Sequence, residues 1–169
     1  VTTFLSTHNA LAEDFKTNNY PKYQDGELVV PRVDTTEQAG KFQDVTFKFN
    51  EQTGAWELLE FRETQIATVI EVAIIKPGSF PAQVLLEISG FMPNSCFALE
   101  PVNQRLEGNR FDIAIPIVNV NPGSLCLDFL SPFTKIVPLF VYGLTAGTYE
   151  YSVNGKNIGT FTLTVDNKL

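Results

Sequence analysis

From Gly26 onward the chain is a succession of short runs of period-two character, cut every 8–12 residues by turn-forming residues. That rhythm, with no helical periodicity between the runs, constrains the fold more than any other feature. Apolar residues two apart line one face of a strand, and frequent turns fold such strands back on one another. The final stretch, "GLTAGTYEYSVNGKNIGTFTLTV" (143–165), shows it best. Tyr149, Tyr151 and Val153 fall on one face, and Asn154–Gly155 supplies the left-handed backbone that a tight hairpin needs. Leu144-x-x-Gly147-x-Tyr149 has the form of a tyrosine corner, in which the hydroxyl bonds back to upstream backbone. Gly147 is expected to provide left-handed or close backbone geometry there.

The fold expected is therefore all-β: an immunoglobulin-like antiparallel β-sandwich over residues 66–169, preceded by a strand and hairpin extension over residues 1–65 that either stands as its own unit or shares the main core. In the extension, "ELVVPRV" is a strand in which Pro31 implies an edge position or a bulge. "KFQDVTFKFNEQTGAWELLEF" is a hairpin turning between Asn50 and Gly54. One short helix is expected ahead of it, with Leu11 and Phe15 four apart, Ser6 or Thr7 as cap and Asn18–Asn19–Tyr20–Pro21 as stop. Later expectations are a loop over Phe91–Met92–Pro93–Asn94–Ser95, a bend at Glu107–Gly108–Asn109, a strand in "NPGSLCLDF" and a turn at Ser131–Pro132.

At 44% hydrophobic residues the chain can bury a real core. Its net charge of −7 and pI near 4.7 argue against nucleic acid and anionic membrane surfaces as partners. No apolar run is long enough for a transmembrane segment. The two cysteines, Cys96 and Cys126, in a strand-rich acidic domain read as a disulfide and so as an exported protein; two unconnected buried thiols are the alternative. A chain beginning at Val1 reads as a mature or trimmed form, its export signal already removed.

Part of the chain resembles a group of secreted bacterial domains of immunoglobulin-like β-sandwich character. The residues that carry the resemblance are "SGFMPNSC", "GNRFDIAI", "CLDF" and "PFTKIVPLFVYGLTAGTYEYSVNG", over about residues 69–165. They follow a G-x-L-P-x-x-C, second Cys, G-L-x-x-G-x-Y-x-x-x-V-N-G order, with Phe91–Met92 standing where the group more often has a single leucine before the proline. "GELVVPRVDTTEQAGKFQDVTFKFNEQTGAWEL" is similar to a strand unit found beside or within other exported bacterial proteins. The resemblance implies architecture and no known activity.

Chemistry is sparse. The single histidine, His8, precedes the strand-rich region, and oxidised cysteines are not nucleophiles, so no Ser/His/Asp or Cys/His engine is expected. Asp34, Glu37, Glu71, Glu87, Asp112 and Asp128 are scattered at strand ends or faces and read as solvated charges, while spacing along the chain does not test a pair held across a cleft. "QDGE" and "VDTTE" lack the dense ladder of a calcium loop and read as turns with local backbone bonds. No catalytic residue, metal site or cofactor is expected.

Two stretches are candidates for binding: the Phe91–Ser95 loop, and an apolar patch of Phe129, Leu130 and Phe133. The reading that follows is an exported, non-enzymatic domain that binds a protein partner through loops or a strand edge, with its oligomeric state open. Its rivals are a protease-inhibitor-like module presenting Phe91–Ser95 and a carbohydrate-active enzyme with paired carboxylates.

Overall fold

The computed structural model describes residues 20–169, and the expected helix and His8 lie outside the described residues. Every regular element among the described residues is a strand. The chain divides into two compact units. One comprises the described part of Val1–Val33 together with Lys41–Glu63; the other comprises Asp34–Gly40 and Thr64–Leu169.

The first unit is a four-stranded antiparallel meander, in order β1 (Lys22–Gln24), β2 (Glu27–Val33), β3 (Phe42–Asn50) and β4 (Ala55–Glu63). Asp25 and Gly26, both at positive φ, close β1 onto β2. Pro31 lies beyond the three residues of β2 that pair with β1, in the span between Val30 and Arg32 that faces Asp44 of β3. Asp44 has φ 52°, and the register between β3 and β4 shifts beside it. A strand proline needs this kind of irregular place, because it has no N–H to give. Asn50 caps the β3–β4 turn, its side-chain oxygen accepting the Gln52 and Thr53 amides at 2.9 and 3.2 Å. One face of the hairpin is aromatic, with Phe49 and Trp56 directly opposite each other and their rings 5.4 Å apart.

The second unit contains β5 (Gln65–Ile66), β6 (Thr68–Ile75), β7 (Leu85–Met92), β8 (Phe97–Leu99), β9 (Asn103–Glu107), β10 (Arg110–Ala114), β11 (Pro116–Asn119), β12 (Ser131–Pro138), β13 (Gly147–Val153) and β14 (Lys156–Leu163). They form sheets of order β12-β7-β6, β14-β13-β10-β9 and β5-β11-β8. All pairings are antiparallel except β10 with β13, which run parallel.

The core follows from the alternation. Leu86 and Ile88 of β7, Phe133 and Val137 of β12, Phe111 and Ile113 of β10, Tyr149, Tyr151 and Val153 of β13 and Phe161 and Leu163 of β14 form one buried cluster. Each such aliphatic or aromatic side chain contributes about 1.5–3 kcal/mol by leaving water. Tyr149 stacks on Phe161 with ring centres 5.5 Å apart, and Phe111 packs against both. Gly90 is required in β7 because a methyl group there would collide with the Thr68 carbonyl of β6.

Three local expectations are corrected. Residues 120–130, which include "NPGSLCLDF", are not a strand. Ser131–Pro132 is not a turn but the start of β12, with Ser131 opposite Met92 and Pro132 opposite Phe91. Gly147 opens β13 without a positive φ; the left-handed glycine of this corner is Gly143, at 85°. The Tyr149 hydroxyl donates to the Thr145 carbonyl at 3.0 Å.

Two asparagines hold the second unit together. Asn154, at φ 52°, begins the β13–β14 turn. Its side chain also accepts the Ile115 amide and donates to the Ala67 carbonyl, both at 2.8 Å. Asn167 is 1% exposed. Its side chain accepts the Ala82 amide at 2.6 Å and donates to the Ala82 and Val141 carbonyls at 3.0 and 2.9 Å. Its backbone bonds Leu144 and Gly143 at 2.7 Å each.

Candidate interaction surface

β7 and β8 are joined by a tight turn. The Asn94 side chain accepts the Cys96 amide at 2.9 Å, which folds the chain back and leaves Cys96 buried. Between β11 and β12 the chain makes a longer excursion. It starts with the same device, Asn119 accepting the Asn121 amide at 2.9 Å, and continues through Gly123 at φ 85°. Cys126 then meets Cys96 in a disulfide of 2.09 Å. Around that bond the two loops exchange backbone contacts. Val120 N–H donates to the Cys96 carbonyl at 2.9 Å, Leu127 N–H to the Ser95 hydroxyl at 3.0 Å, and Ser95 N–H to the Leu127 carbonyl at 3.4 Å. A three-residue turn from Leu127 to Phe129, closed at 2.9 Å, hands the chain on to β12.

The backbone of this excursion is therefore tied down while its side chains are not. Val120, Leu125, Leu127, Phe129 and Leu130 are all exposed, Leu125 completely so. The only charged side chain in residues 119–130 is that of Asp128. A clustered apolar surface pinned by a covalent bond and backbone hydrogen bonds can dock against an apolar partner with little further ordering cost.

The two candidate stretches read from the sequence are brought together here, through the disulfide and the β7–β12 pairing. Their membership needs correction. Phe91 and Met92 are not loop residues: they end β7, the central strand of its sheet, where Phe91 pairs with both Thr68 and Pro132. Only Pro93, Asn94 and Ser95 remain at the tip, so an inhibitor-like insertion would have three residues to present. Phe133 does not join the exposed patch. It is 9% exposed and packs in the core, because it sits opposite Gly90 on the inward face of β12. Phe129 and Leu130 are exposed, and Leu125 and Leu127 belong with them. Their alternation was visible in the sequence, but it reads equally as a strand.

Asp112 is engaged by Arg105 at 3.0 Å and by Arg110 at 2.9 Å. Arg105 also donates to the Thr35 and Thr36 carbonyls at 2.6 and 3.3 Å, holding the segment Asp34–Gly40 against β9 and β10. The hydrogen bond to Asp112 raises the Arg105 pKa, burial opposes that, and the charges of Asp112, Asp34 and Glu107 add to it. Among the described residues no group of three or more His, Cys, Asp or Glu side chains is placed to hold a metal ion.

The fold and this surface define an all-β sandwich domain carrying a disulfide-pinned apolar loop. Residues 86–163, from β7 to the end of β14, match the ORF11 beta-sandwich domain. An uncharacterized 10.2 kDa protein of Herpetosiphon aurantiacus, from the HgiCIIM 5′ region, is 33% identical over 84 residues, 49% of this chain and 86% of that relative. Two more from the same organism, of the HgiBIM and HgiEIM 5′ regions, are each 32% identical over 77 residues, 45% of this chain and 90% of the relative. The chain belongs to the family of these Herpetosiphon proteins, with the ORF11 beta-sandwich domain over its residues 86–163. No solved structure matches it significantly.

Proposed function

We propose that the protein is an exported, non-enzymatic interaction domain whose working surface is the loop of residues 120–130. The observation that carries this reading is the contrast between a pinned backbone and the exposed side chains of Leu125, Leu127, Phe129 and Leu130. Burying four such side chains against a partner would contribute several kcal/mol before association costs, at about 25 cal/mol per Å2. The cystine supports an oxidising compartment and hence export. The net charge of −7 supports an uncharged or basic protein as partner and disfavours nucleic acid.

The test is photo-crosslinking from position 125 in the native envelope or secretome. One discrete adduct is expected with the wild-type loop. It should vanish with Leu127→Ser plus Phe129→Ser and persist with Phe80→Ser, an exposed apolar residue outside the loop. An adduct that survives the loop changes would overturn the reading.

A further inference from the structure

The end of β7 away from the pinned loop carries a groove of its own. β7 runs from Leu85 to Met92 against β12 running from Pro138 to Ser131, so the two ends stand about 24 Å apart. The groove, about 490 Å3, lies between residues 81–85 and residues 138–142. That volume is within the ordinary range of ligand sites. Its walls are prolines, aliphatics and two aromatics, with Gln83 and the Tyr142 hydroxyl as the side-chain polar groups. No charged residue lines it.

The walls are fixed from behind. Leu139 and Val141 are buried in the core, Leu139 N–H donates to the Val84 carbonyl at 2.9 Å, and Asn167 bridges Ala82 to Val141. A three-residue turn, Val141 N–H to the Leu139 carbonyl at 2.9 Å, places Phe140 at its apex. Phe140 is consequently 71% exposed and Tyr142 66% exposed, although the backbone carrying them is anchored. With the backbone already anchored, docking against these rings costs little further ordering.

We infer that this groove binds an uncharged, proline-rich peptide segment in the polyproline II conformation. Aromatic-lined grooves receive such segments because the ligand is already extended and loses little entropy on binding. Proline offers carbonyl acceptors and no N–H. The groove offers donors for those carbonyls, the Gln83 side-chain NH2 and the Tyr142 hydroxyl, neither engaged by another described residue. A charged ligand would find no counter-charge here, and an anionic one would meet a chain of net charge −7. Selective recognition of a sugar draws on several directed polar groups, and this groove has two polar side chains. The inference is independent of the proposed function of the loop.

The experiment is a titration of acetylated, amidated decaproline into the isotope-labelled full chain, followed by amide and side-chain NMR. Shifts are expected at residues 82–85 and 139–142 and at the Gln83 side-chain amide. Phe140→Ala and Tyr142→Ala should each weaken binding by about tenfold or more. Both rings are solvent-facing, so the variants should keep the wild-type spectrum elsewhere, and Leu127→Ser should bind decaproline normally. Absence of shifts at millimolar peptide would overturn the inference. So would binding indifferent to both ring removals, an equal response to cellohexaose, or groove shifts that follow protein concentration and report a second copy of the chain.

Discussion

Asn154 shows how much one side chain can add to a turn. Asn-Gly dipeptides are chosen for hairpins because both residues tolerate positive φ, and Asn154 and Gly155 stand at 52° and 69°. Glycine would serve that backbone equally well. It could not accept the Ile115 amide or donate to the Ala67 carbonyl. Asn154→Gly should therefore lower stability by about 2 kcal/mol, the cost of stranding two partly buried backbone groups. Urea denaturation checks this, and a loss under 0.5 kcal/mol would reduce Asn154 to a turn former. The turn was legible in the sequence because left-handed backbone has a short list of residues. The stitching was not, because an asparagine's distant partners leave no local pattern; Asn167 escaped notice for the same reason.

At the scale of elements, alternation gave most strands, and it failed where a strand lacked a neighbour. Leu125, Leu127 and Phe129 have a strand's period. Their backbone, however, finds its partners in Ser95 and in a local turn rather than in a ladder. The reverse error fell on Phe91, Met92 and Ser131–Pro132, whose bulky and proline-flanked sequence suggested loops although β6, β7 and β12 pair through them. Pairing is a property of two segments, and one segment's sequence does not contain it. The loop's dependence on its cystine can be measured. Replacing Cys96 and Cys126 by alanine frees a loop of 30 residues' separation, and should cost about 3–4 kcal/mol of stability. Amides at residues 120–130 should lose protection first in hydrogen exchange, with β7 and β13 still protected. Unchanged protection there would mean that backbone bonds alone hold the loop.

For the whole molecule, the unit of Asp34–Gly40 and Thr64–Leu169 is joined by contacts between distant parts of the chain. The parallel pairing sets residues 110–113 beside residues 150–153, Asn154 reaches Ala67, and Asn167 reaches Ala82. Connections of that span close large loops before any contact compensates, which slows folding. Their consequence is one of timing. While a chain emerges from the ribosome at about 5–20 residues per second, its earlier strands wait for partners that lie near residue 167. A sandwich without Asn167 lacks the side-chain bonds that join Ala82 to Val141, so its closure waits for that residue to be made. Ending the chain at Asp166 should leave a collapsed state without native near-ultraviolet circular dichroism, whereas a native spectrum from it would show that the clasp is dispensable.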